Sequence, residues 1–224
     1  MLINIVLDVS HNQKVAEHIE CNDRPVWKED PRQMKRTKLE AAETRRKIVK
    51  TAAAEFRKNG INGTGLSDLM AAAGLTHGGF YRHFESKDQL VAEACGAAIE
   101  STIEKAWAPL LEQGKRHRLE AIVADYLSED HRDDRRGGCP FASLGSELAR
   151  SSDNTRAVAT EGLLKMVDII AAQFGELRPH VARRRALVMI STMVGAVTLA
   201  RMVTDSKVST TILREAAKDV AAAS

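Results

Sequence analysis

The chain has 224 residues, of which 44% are hydrophobic and 28% charged, enough apolar content for a substantial core in one large or two small domains. Aromatics are scarce at 4% while helix-forming alanine, leucine, lysine, arginine and glutamate abound, which points to an all-α protein. The three cysteines, Cys21, Cys95 and Cys139, fit neither a disulfide framework nor a zinc site, and a reducing, cytoplasmic setting is expected.

The formal net charge of +3 is unevenly spread. Residues 1–33 carry 4 basic and 6 acidic side chains, residues 34–90 carry 11 and 6, and residues 91–224 carry 18 of each. The excess positive charge therefore lies in one short segment, where it marks either a solvated helix face or a nucleic-acid footprint.

Residues 1–33 differ in character from the rest of the chain. "MLINIVLDV" reads as a strand and lacks the basic start of a secretory signal, and "CNDRPVWKEDPRQ" reads as irregular chain. Met34, just before the helical pattern begins, is the expected native start, the alternative being a short ordered arm. A helix is predicted over 38–59, with Ile48, Ala52 and Phe56 on one face and Gly60 as its left-handed cap. Thr64 is the expected N-cap of a short helix over 65–73, which Gly74 ends. Thr76 caps a further helix over 77–83. Ser86 and Gln89 form a capping box for the next. Two short helices joined by a tight glycine turn, in the basic segment, form a helix-turn-helix pattern.

Longer helices are expected near 87–113, 117–128, 139–150, 154–174, 180–203 and 208–222. Between the second and third of these runs the charged loop "SEDHRDDRRGG". The apolar run "ALVMISTMVGAVTLA" is shorter than the roughly 20 residues that span a bilayer, and arginines bracket it, so it is read as a buried helix with no membrane partner. His131, Asp133, Asp134 and Cys139 gather acid, base and thiol in one region, but no triad spacing or cofactor loop supports catalysis, and no cofactor or metal is expected.

The stretch "TRRKIVKTAAAEFRKNGINGTGLSDLMAAAGLTHGGFYRHFESKDQL" resembles the TetR family of bacterial transcriptional regulators, with many positions of different type agreeing in register. The resemblance covers about a quarter of the chain. It implies a helix-turn-helix DNA-binding domain over 34–86 and a helical ligand-binding and dimerisation domain over 87–224. It further implies a homodimer that represses transcription on a palindromic double-stranded operator until a small molecule or other signal releases it; the redox form of that signal is an expectation drawn from Cys139, below.

Phosphate contacts are then expected from Arg45, Arg46, Thr64, Thr76, Tyr81, His83 and Lys87, and base reading from His77, Gly78 and Arg82. The family often carries a lysine at position 77 and a hydroxyl side chain at position 79, where this chain has His77 and Gly79. Gly78 and Gly79 weaken the helix by about 1 kcal/mol each. Their small size lets the backbone approach DNA closely, while Phe80 and Phe84 restore rigidity by packing inward. The dimer seam is expected on Ser191, Gly195, Ala196 and Ala200 with Ile212 and Ala216 of the last helix. Trp107 and Leu110 are expected at the ligand pocket. Cys139, just ahead of Pro140 and near Arg135 and Arg136, is expected to cap a helix, which would lower its pKa and make it a candidate sensor, the alternative being a packing role.

Overall fold

A computed structural model of the protein describes residues 31–111 and 118–222. The expectations for residues 1–30, the leader and Cys21 among them, lie outside the described residues. Two compact units are present, Met1–Lys38 and Leu39–Ser224. Of the first, residues 31–38 are described and are helical. The second holds the core and the candidate site.

The described residues contain no strand. Helix α1 (Pro31–Asn59) begins earlier than its apolar pattern suggested and ends as expected at Gly60, whose φ of 82° suits a residue without Cβ. Ile48, Ala52 and Phe56 are all buried, as their spacing requires. Helix α2 (Leu66–Ala72) comes next, then the Gly74 turn at φ 69°. A short helix over His77–Arg82 succeeds the turn, and it is 3-10 rather than α.

Helix α3 (Lys87–Thr102) runs through a π turn at Ile103–Trp107 into α4 (Ala108–Leu111). Its capping box forms: Ser86 Oγ accepts from Gln89 N–H at 3.1 Å, while Gln89 Oε1 reaches back to Glu85 N–H at 2.8 Å. Then come α5 (Arg118–Tyr126), α6 (Glu129–Asp133), α7 (Pro140–Leu148), α8 (Asp153–Ala171), α9 (Pro179–Met202) and α10 (Ser206–Ala222). The charged stretch read as a loop thus holds a short helix, capped by Ser128 Oγ on His131 N–H at 3.0 Å.

α8 packs on α3, α9 on α8, and α10 on α9. One apolar cluster runs from Ile48 of α1 to Val220 of α10, so the helix-turn-helix and the later helices share a continuous core. α9 is apolar and long enough to cross a bilayer by length and composition. Here its Ala182, Ala186, Met189, Ile190, Met193 and Val197 face the protein core.

Candidate DNA-reading head and effector cavity

The short 3-10 helix carries the surface that the sequence led one to expect on DNA. Phe80 and Phe84 are buried and stacked, with ring centroids 5.3 Å apart, and anchor the helix inward. Tyr81 is 66% exposed, edge-on to His77 at 6.3 Å and to Phe80 at 5.2 Å. Thr76, His77, Gly78 and Arg82 are exposed beside it, and His83 is half-buried. A Cβ built on Gly78 would meet nothing within 4 Å. The glycine is therefore not demanded by packing inside the chain.

Three positions expected on phosphate have other work. Lys87 Nζ donates to the carbonyls of Ile61 at 2.9 Å and Thr64 at 2.7 Å, tying the start of α3 to the α1–α2 turn. Arg45 donates to the His83 carbonyl at 3.2 Å, forms a two-pronged ion pair with Glu93 and lies over the Phe84 ring at 4.5 Å. Thr64 is buried, and its hydroxyl donates to the Gly60 carbonyl at 2.7 Å; Gly65, not Thr64, caps α2. Lys87 and Arg45 are held by carbonyls and a carboxylate made available only by tertiary packing, which spacing could not reveal, whereas Thr64 bonds locally, four residues back. Arg46 is exposed but sits at the rim of a cavity between α1 and α3. Thr76 caps the 3-10 helix by backbone position, without a side-chain bond.

That cavity, of about 1250 Å³, opens among α1, α3, the π turn and the segment from Asp125 to Cys139. Trp107 lies in its wall, fully buried; the side chain of Leu110 lies outside the described residues.

Cys139 also lines the cavity and caps α7 with Pro140 in the first turn, but it is 0% exposed and makes no side-chain cap bond. Burial pushes its thiol up, opposed in part by the Tyr126 hydroxyl and the N–H groups of Ala142 and Phe141. The expected lowering of its pKa is thus reversed, because desolvation outweighs the helix start. His131 is not a catalytic partner either. Its Nε2 accepts from the Cys139 backbone N–H at 2.9 Å, so Nδ1 carries the proton and donates to the Tyr126 carbonyl at 2.6 Å.

Sequence reasoning missed two residues that hold α7 and the segment ahead of it in place. Glu147 of α7 accepts from the backbone N–H groups of Ile61 at 3.1 Å and Asn62 at 2.9 Å, clamping the α1–α2 turn. Arg201 of α9 donates to the carbonyls of Arg132 and His131 and to Ser143 Oγ, each at 2.8 Å, fixing the segment ahead of α7. Arg136 of that segment pairs with Glu55 of α1 at 2.7 Å. A glutamate on an amphipathic helix carries no local sign of such a bond.

On α9, Val188, Ser191, Leu199 and Met202 are exposed and Gly195 is half-buried, a stripe spaced three and four apart along one side. Ala196 and Ala200, expected on the same seam, are buried inside the chain instead. On α10, Val208 is exposed, while Ile212 and Ala216 are half-buried against the core.

An all-helical protein with an exposed reading helix on a helix-turn-helix and a cavity beneath it defines a DNA-binding regulator. Similarity to known proteins narrows the class. Residues 48–94 match the bacterial regulatory proteins of the tetR family, and residues 116–219 match the C-terminal domain of LmrA/YxaF-like transcriptional regulators. A TetR transcriptional regulator from Chloroflexus aurantiacus is 34% identical, superposes with a TM-score of 0.69, and is matched over 82% of this chain and 95% of that one. The chain therefore belongs to the TetR family, whose members are transcriptional regulators and not enzymes.

An HTH-type regulator of Mycobacterium tuberculosis is 28% identical over 70% of this chain and 84% of its own. A protein described as an acrEF/envCD operon repressor of Escherichia coli is 48% identical over 59 residues, so the chain matches only 27% of that protein's length, and the match covers 26% of this chain. The reduced form of Escherichia coli NemR shares the fold at 21% identity, with a TM-score of 0.68 over 80% of this chain and 95% of that one.

Proposed function

We propose that the protein is a cytoplasmic repressor that binds a two-fold operator as a homodimer and releases it when a small molecule enters the α1–α3 cavity. The observation that carries the reading is the outward set of Tyr81, His77, Gly78 and Arg82 on a short helix anchored in the core by its Phe80 and by Phe84 just beyond it. Tyr81 and Thr76 fit phosphate, which positions, while His77, Gly78 and Arg82 fit base edges, which specify. The uncovered apolar stripe Val188–Leu199–Met202, with Ser191 and Gly195 between, supports close helix approach by a second copy.

Coupling arises from the contacts. A ligand that parts α1 from the segment holding Arg136 and Cys139 displaces α7, and Glu147 at the far end of α7 carries the shift to the α1–α2 turn. Such a switch needs only a ligand that binds the two head spacings unequally. Because Cys139 lines the same cavity, a redox signal at its thiol is a second reading; it requires an oxidant small enough to enter. Footprinting on DNA upstream of the protein's own gene is expected to show two protected half-sites about one helical turn, ~34 Å, or its multiples apart. A single asymmetric half-site would overturn the dimeric reading. Operator release by oxidant that persists in Cys139→Ser removes the redox reading and leaves the small-molecule one.

A further inference from the structure

Three polar atoms in the cavity region are buried with no hydrogen-bond partner among the described residues: Nε and Nη1 of Arg57 and Nε1 of Trp107. All three can only donate. Both residues line the α1–α3 cavity. Trp107 is 0% exposed. The Arg57 charge is opposed by Asp134 only through space, and Asp134 Oδ1 is itself taken by the N–H groups of Arg136 at 3.1 Å and Gly137 at 2.7 Å.

A buried donor without an acceptor is costly, and a buried guanidinium more so. Donors of this kind on α1 and the π turn, lining one cavity, are what an oxyanion would satisfy. The rest of the wall is shaped by small side chains: Ala53 and Ala54 on α1 face the cavity with Ala97 and Ala98 on α3. They leave a slot between two helices that suits an apolar body.

We infer that the cavity takes a small organic carboxylate, its oxyanion held by Arg57 with Trp107, its apolar part lying along the alanines of α1 and α3. This rests on the proposed effector role of the cavity and names the ligand's chemistry. The donor atoms have no exposed surface, so the ligand reaches them only by parting the wall. Arg57 belongs to the last turn of α1, so the same movement acts on the reading head directly.

The test uses the full-length protein at neutral pH, with benzoate and octanoate as probes and benzamide and octanamide as their neutral counterparts. Calorimetric titration is expected to show each carboxylate binding at least tenfold tighter than its amide. Arg57→Met and Arg57→Gln are expected to erase that preference; using both guards against one failing to fold. Trp107→Phe keeps the ring and removes the N–H, and is expected to weaken the carboxylates roughly two- to tenfold. Saturable binding by neither carboxylate, equal binding of amides, or a preference that survives both Arg57 variants overturns the inference. A gel shift on the same samples separates the two claims. Carboxylates that bind and leave DNA bound refute the effector reading alone. Amides that release DNA as well as carboxylates do refute the ligand class alone.

Discussion

Replacing Glu147 by alanine tests the coupling between sensor and head most directly. The wild-type carboxylate accepts two backbone bonds, from Ile61 at 3.1 Å and Asn62 at 2.9 Å, and also fills the space beside Gly60, where a Cβ would meet its Oε2 at 2.9 Å. Bonds to a charged acceptor contribute about 1.5–3 kcal/mol each. Glu147 is half-buried and Asn62 exposed, so solvent screens part of this and the lower end applies, about 3 kcal/mol for the pair. For a chain of this size that corresponds to a fall in Tm of roughly 6–12 °C. Glu147→Gln keeps one acceptor but turns an NH2 toward the second N–H, and is expected to fall between wild type and alanine. Thermal unfolding gives the stability, and amide hydrogen exchange at positions 61 and 62 gives the local effect. A Tm within about 1 °C of wild type, with unchanged exchange at both amides, would refute the clamp and with it the route from α7 to the head.

Lys87→Ala is expected to lower stability by about 2 kcal/mol through its two lost carbonyl bonds while leaving the salt dependence of operator binding unchanged; a slope shallower by about one unit would return Lys87 to the phosphate backbone. Gly195→Arg is expected to give folded monomers by light scattering, with DNA binding lost, because a Cβ there meets nothing within 4 Å in the chain itself; an intact dimer would place the seam elsewhere. Burial, opposed by a backbone bond to Tyr126, holds the His131 pKa below its ordinary 6.5. The unfolded chain then binds more protons, so this contribution to stability is full above pH ~6.5 and is lost as pH falls toward the depressed folded value; His131→Gln is expected to flatten that acid limb in thermal scans. Cys139 is expected to be alkylated more slowly than an ordinary exposed thiol at neutral pH, as is Cys95, whose pKa burial raises to about 11; fast labelling of Cys139 by mass spectrometry would show that the cavity admits reagents freely.

Local chemistry determined much of this protein before any tertiary contact. Apolar spacing placed Ile48, Ala52 and Phe56 on one buried face, glycine's freedom at positive φ ended α1 at Gly60, and Ser86 with Gln89 started α3, because each depends on residues within a few positions. The burial of Phe80 and Phe84 and the exposure of Tyr81 between them were legible for the same reason. What the sequence could not decide is which of two uses a polar side chain serves. Lys87 and Arg45 have the charge for phosphate, yet carbonyls and a carboxylate brought in from 26 and 48 residues away claim them. Cys139 sits at a helix start, which lowers a thiol's pKa, but the core that closes over it raises it more. Ala196 and Ala200 share small size with Gly195, and only the packing of α9 shows which side of that helix is covered. The Glu147 clamp and the unpartnered donors of Arg57 and Trp107 belong wholly to tertiary structure, since the clamp joins groups far apart in the chain and only packing decides which donors are buried without a partner.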